Sequence, residues 1–142
     1  MSQGITLKGA CLCGAVTVTA DPPAPGFGAC HCGMCRKWSG GPLLALPCGP
    51  GVTLTGEDAV TVYDSSPWAE RGFCSRCGTH LFYRVKHNQE YHVPVGLFDD
   101  TEGVSFALQV FIDKKPPHYA FADQTAEMTE AQIFEKYAPK ED

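Results

Sequence analysis

Seven of the eight cysteines in this 142-residue chain sit in tight groups: Cys11 and Cys13 in "CLCG", Cys30, Cys32 and Cys35 in "CHCGMC", Cys74 and Cys77 in "CSRC". Thiols this close can ligate a metal, pair as disulfides or act as nucleophiles. In C-x-x-C the two intervening residues let the backbone turn so that both sulfurs face one ion, and Gly78 directly after Cys77 relieves that turn. "CLCG" is tighter and also ends in glycine. Two such pairs from distant parts of the chain complete a tetrahedral four-cysteine zinc site. The site would tie an N-terminal strand to a mid-chain hairpin and supply on the order of 10 kcal/mol of folding energy.

Three other chemistries compete with zinc. Disulfides need an oxidising compartment, and a direct bridge from Cys11 to Cys13 is strained. A redox pair at Cys74 and Cys77 lacks the surrounding βαβ pattern. Seven thiols could also hold an iron–sulfur cluster. Zinc is the favoured reading of the four. The group at 30, 32 and 35 differs from the pairs, because three protein ligands with an open position are typical of a catalytic zinc. Its tetrahedron could instead be closed by Cys48, or by His31, His80, His92 or His118. Cys48 is the foremost of these, although a lone cysteine late in an apolar strand is usually a small buried hydrophobe.

The elements that must carry these groups read as strands. "AVTVTA" (15–20) alternates, with Val16 and Val18 on one face. Further strands are expected over 43–48, 52–56, 59–64, 79–85, 90–98 and 104–112, with 79–85 and 90–98 joined around residues 86–89. Residues 22–28, "PPAPGFG", are expected to be a loop, because proline cannot serve a sheet ladder. Only the C-terminus reads as helical: over 128–138, Thr129 and Gln132 form a capping-box pattern. Ile133, Phe134 and Tyr137 would make its apolar face. The expected fold class is mainly β, one domain over 1–142, with a short C-terminal helix.

Bulk composition agrees with that reading. Apolar residues are 44% and charged residues 19% of the chain, ordinary for a folded domain. Fifteen glycines and eleven prolines point to many turns. A net charge of −5 disfavours nucleic acid as a partner. No apolar run approaches the roughly 18 residues of a membrane span. No basic segment followed by an apolar one opens the chain, so a cytoplasmic location with reduced thiols is expected.

"GACLCGAVTV", "CHCGMCRKWSG", "RGFCSRCGTHLF" and, more loosely, "VGLFDD" and "VFIDKKPPHY" occur in an order and spacing that resemble the glutathione-dependent formaldehyde-activating enzyme family, which includes centromere protein V-like proteins. The resemblance runs from about Gly9 to Tyr119. It implies coiled antiparallel β-sheets, a β-tent, stapled by zinc. It implies a structural zinc on Cys11, Cys13, Cys74 and Cys77 and a catalytic zinc on Cys30, Cys32 and Cys35, two per chain. It also implies a carbon–sulfur lyase that joins formaldehyde and glutathione into S-hydroxymethylglutathione. The chain departs from the family pattern at Gln109, where a histidine is usual, and at His118, where a tryptophan is usual.

Three thiolates on Zn²⁺ leave the site at −1, which suits it to hold a fourth, exchangeable sulfur. A glutathione thiol bound there would be deprotonated and able to add to formaldehyde or another small electrophile. Arg36 and Lys37 follow the last ligand directly and are the candidate contacts for an anionic thiol; both could equally be solvated surface charges. Trp38 reads as core. The competing class is a non-catalytic zinc-binding module that presents a surface to another protein. The oligomeric state is not legible.

Overall fold

A computed structural model describes residues 5–137. These residues group into two compact units: one runs through Pro25 and then from Leu46 to Val104, the other from Gly26 to Ala45 and from Ser105 onward. Each is described by itself.

In the first unit, β1 (Leu7–Ala10), β2 (Thr17–Ala20) and β5 (Val52–Thr55) form a three-stranded antiparallel sheet in the order β1-β2-β5. The expected alternation holds: Val16 and Val18 are fully buried, while Thr17 between them is exposed. The rest of the unit is an antiparallel meander of β6 (Val60–Tyr63), β7 (Ala69–Cys74), β8 (His80–Val85) and β9 (Tyr91–Pro94). β9 neighbours β4 (Leu43–Gly49). Leu46, Cys48, Ala69, Cys74, Leu81, Phe82 and Val93 fill its core. Burying a Val, Leu or Phe side chain contributes about 1.5–3 kcal/mol. The turn over residues 86–89 joins β8 to β9 as expected, with Gln89 in the left-handed region at φ 58°.

In the second unit, β3 (Gly26–Cys30) lies between the start of β4, antiparallel, and β10 (Ser105–Val110), parallel. β10 also pairs in parallel with β11 (Ala126–Met128). The protein is mainly β, as the sequence implies, and among the described residues β10 pairs in parallel with both β3 and β11. The loop expected over 22–28 ends earlier than composition indicated. The prolines stop at Pro25, and the strand begins at Gly26. A Cβ at Gly28 would lie 3.2 Å from the Leu108 carbonyl oxygen, so glycine there permits close approach of β10.

The C-terminus is not the sole helical segment. α1 (Gly33–Ser39) follows directly on the cysteine group and ends on Gly40, whose φ of 81° suits glycine as a helix stop. α2 (Glu130–Tyr137) forms as read from its cap. The Gln132 N–H meets the Thr129 hydroxyl at 3.3 Å, and Gln132 Oε1 accepts the Thr129 N–H at 2.7 Å. Phe134 packs edge-on against Phe111 at 6.0 Å while keeping 41% of its surface exposed. The Tyr137 side chain and Ala138 lie outside the described residues. Among the described residues, no helix is long and apolar enough to cross a membrane.

Candidate metal centres and adjoining cavity

The two cysteine pairs of the first unit meet. The ligand atoms of Cys11, Cys13, Cys74 and Cys77 all lie within 4.8 Å of one another. Each pair sits on a tight turn, closed by the Gly14 N–H to the Cys11 carbonyl and the Gly78 N–H to the Cys74 carbonyl. Gly14 and Gly78 have φ near +80°, the left-handed backbone that a Cβ penalises. Sulfur separations of 3.6 Å (Cys11 to Cys13) and 3.8 Å (Cys13 to Cys74) match the roughly 3.8 Å edge of a tetrahedron with 2.3 Å metal–thiolate bonds. The four residues can therefore hold a metal ion.

Backbone and hydroxyl groups support these sulfurs. The Val16 N–H donates to Cys11 Sγ at 3.3 Å. Thr79 joins the two turns: its hydroxyl accepts the Leu12 N–H at 3.1 Å and lies 3.1 Å from Cys77 Sγ. That hydroxyl is the first cause of a Cys77 thiol held down at about 5, well below a free cysteine. Nothing in the type or spacing of Thr79 marked it beforehand.

In the second unit, the end of β3 and the start of α1 bring Cys30, Cys32 and Cys35 together, their sulfurs again within 4.8 Å of one another. Cys32 caps α1, its sulfur accepting the Cys35 N–H at 3.3 Å. Hydrogen bonding with Cys30, then with Cys35, drives the Cys32 thiol down to about 2, and the Cys32 contact pushes Cys30 up in turn. The three thiols are therefore strongly coupled, with Cys32 pushed towards its thiolate and Cys30 away from it.

The candidates for a fourth ligand are engaged elsewhere. Cys48 is 1% exposed and donates to the Leu46 carbonyl at 3.3 Å, with burial pushing its thiol up to about 12. His80 Nε2 donates to the Phe82 carbonyl at 3.0 Å. His92 packs edge-on against Tyr83. His31 is completely buried, with Nδ1 2.8 Å from the Tyr119 hydroxyl and Nε2 2.8 Å from Gln109 Oε1. Desolvation lowers its pKa and favours the neutral ring.

His118 lines a cavity of about 290 Å³, together with Gly33, Arg36, Lys37, Gly40, Gly41 and Tyr119. Positions 33, 36, 37 and 40 follow helical spacing, so one side of α1 forms a wall. Arg36 is partly tied down, its Nε donating to the His31 carbonyl at 2.9 Å. Lys37 is exposed. Trp38, expected in the core, is half-buried. Tyr119 links cavity and cysteine group. Burial raises its pKa, Arg36 lowers it and Cys30 raises it, so the phenol senses both neighbours and stays protonated at neutral pH.

Fold and site together define a mainly β, thiol-rich protein with two cysteine clusters competent to hold metal ions, one of them beside a cation-lined cavity. The profile described as glutathione-dependent formaldehyde-activating enzyme matches residues 6–114. The chain belongs to that family. A protein of Schizosaccharomyces pombe named an uncharacterized lyase is 37% identical over 123 residues, covering 86% of this chain and 90% of that protein. A Halomonas elongata protein with the provisional name glutathione-dependent formaldehyde-activating enzyme is 38% identical over 86 residues, 54% of each chain. A crystal structure of a Rhodobacter sphaeroides protein superimposes with a TM-score of 0.56 at 24% identity, over 70% of this chain and 99% of that one. It is a likeness of fold.

Proposed function

We propose that this protein is a zinc-dependent carbon–sulfur lyase acting on the glutathione adduct of formaldehyde, or of another small electrophile. The observation that carries the reading is the group of three sulfurs at Cys30, Cys32 and Cys35, joined by no fourth side chain among the described residues, beside a cavity edged by Arg36 and Lys37. The names of the relatives supply the thiol and the aldehyde.

Cys11, Cys13, Cys74 and Cys77 would hold a structural zinc, and Cys30, Cys32 and Cys35 would hold the catalytic one. A zinc held by these three cysteines would supply a site at which an added thiol is deprotonated yet still nucleophilic at neutral pH. The chain's own residues do the rest. Arg36 and Lys37 attract the carboxylates of glutathione into the cavity. His118 and Tyr119 bound the space in which the small electrophile meets the sulfur. In the forward direction a carbon–sulfur bond forms, the carbonyl π pair moves to oxygen, and the proton released by the thiol ends on that oxygen. The reverse breaks the carbon–sulfur bond and returns the aldehyde.

Cobalt-substituted protein tests the reading. Titrated glutathione should shift its thiolate-to-metal absorption with saturation, and the zinc form should accelerate exchange of formaldehyde between free and glutathione-bound pools in NMR. A spectrum indifferent to millimolar glutathione would overturn the enzyme reading in favour of an interaction module with two closed sites.

A further inference from the structure

His31, Gln109, Tyr119 and Thr125 form a chain of hydrogen bonds that the metal chemistry does not use. Gln109 is 5% exposed. Its Nε2 donates to Thr125 Oγ1 at 3.0 Å, which leaves Oε1 to face His31 Nε2 at 2.8 Å. A carbonyl oxygen only accepts, so His31 carries its proton on Nε2. Nδ1 of the neutral ring is then an acceptor, and the Tyr119 hydroxyl, 2.8 Å away, donates to it. The tyrosine ring is gripped as well: it stacks on His31 at 5.5 Å, meets His118 edge-on at 5.3 Å, and lies 5.5 Å from the Lys115 ammonium. Lys115 also donates to the Tyr119 carbonyl at 2.6 Å.

A hydroxyl whose proton is committed to a buried histidine offers its oxygen as an acceptor. Among the described side chains lining the cavity, Tyr119 is the one hydroxyl and shares the capacity to accept only with the His118 ring, while the cations Arg36 and Lys37 can only donate. We propose that Tyr119 receives the O–H of the hydroxymethyl adduct in this cavity, and that Gln109 is a positioning residue that sets it there by fixing the tautomer of His31. The proposal rests on the lyase reading above. The substrate class it selects is an adduct bearing a hydroxyl donor one carbon from sulfur. Tyr119 orients that O–H as the carbonyl forms and the carbon–sulfur pair returns to sulfur. The substrate proton leaves for the thiol or solvent, and neither Tyr119 nor His31 changes its protonation.

Exchange NMR of formaldehyde and glutathione over the zinc-loaded protein tests this. Tyr119→Phe should lower kcat about tenfold, the loss of one oriented hydrogen bond, with the KM for glutathione within about twofold and zinc per chain unchanged. Gln109→Leu should lower kcat in the same way. Gln109→Glu, whose carboxylate still accepts from Nε2–H, should restore most of it. Imidazole ¹⁵N shifts give a readout independent of activity: His31 should be the Nε2–H tautomer in the parent and in Gln109→Glu, and a mixture in Gln109→Leu. If Tyr119→Phe does not fold, the Gln109 pair carries the test. A parental kcat in Tyr119→Phe, or a pure Nε2–H tautomer with undiminished kcat in Gln109→Leu, would overturn the proposal. A parent protein that accelerates no exchange at all would overturn the lyase reading first, and this proposal with it.

Discussion

Replacing Cys74 by serine removes a proposed zinc ligand that is 0% exposed and sits in the only group of four clustered cysteines among the described residues. Its sulfur lies 3.8 Å from that of Cys13, so the serine hydroxyl would occupy the same buried corner without the thiolate a soft metal site needs. A structural zinc in a small domain is worth about 10–16 kcal/mol at neutral pH. A chain of this length has a total folding stability of about 7–21 kcal/mol. Losing most of the metal's contribution removes half or more of the stability, and the buried polar hydroxyl costs a further 1–3 kcal/mol. Cys74→Ser should therefore show less than one zinc per chain, no cooperative thermal transition and rapid amide exchange through β7 and β8. Cys32→Ser is the control: it should lose the second zinc and any thiol-dependent activity while melting cooperatively. Metal analysis with calorimetry reads both. A Cys74→Ser protein that melts cooperatively within a few degrees of the parent would refute the assignment of this site as the one that holds the fold.

Cys48→Ala should keep two zincs per chain and full thiol binding, at about 1 kcal/mol of stability for a small core truncation; a fall to one zinc would make Cys48 a ligand. Arg36→Ala with Lys37→Ala should weaken glutathione binding several-fold, and the parent's affinity should drop as salt rises; isothermal titration at two ionic strengths decides it. His80 is held near pKa 4 by burial, below the 6.5 of an unfolded histidine. Its contribution is complete above pH 6.5 and is lost as pH falls towards 4, by at most about 3 kcal/mol. His80→Gln, which keeps a donor for the Phe82 carbonyl, should flatten that part of the stability–pH curve relative to the parent.

The cysteine groups were legible because short-range spacing encodes them, and each pair carries its own turn glycine. The same is true of the Thr129–Gln132 cap and of Val16 and Val18, whose signals are all local. Most of what escaped was non-local, α1 excepted. β7 did not read as a strand because "AERGFC" places Arg71 at a buried position, where its guanidinium lies 5.1 Å over the Tyr83 ring, and Gly72 against the Phe82 ring. α1 was missed because its cap is a cysteine and its last turn holds Trp38 and Ser39, all weak helix signals. The network through His31 spans residues 31, 109, 119 and 125, positions that β10 and the segment after it bring to β3. Gln109 drew notice only as a departure from a family pattern, with nothing in the sequence to say what it touches.

The turns at "CLCG" and "CSRC" are each built locally, yet Cys13 and Cys74 are 61 residues apart. Closing a loop of that length costs about 3–4 kcal/mol of chain entropy, which a metal held by the four cysteines and the Thr79 contacts to both turns would offset together. During synthesis at about 5–20 residues per second, the first thiol pair leaves the ribosome roughly 3–12 s before its complement. For those seconds Cys11 and Cys13 are an open half-site, able to take up a foreign soft metal or an oxidant. Were the four cysteines to hold zinc as proposed, the order in which the nascent chain meets zinc and oxidants would bear on how much of it assembles correctly.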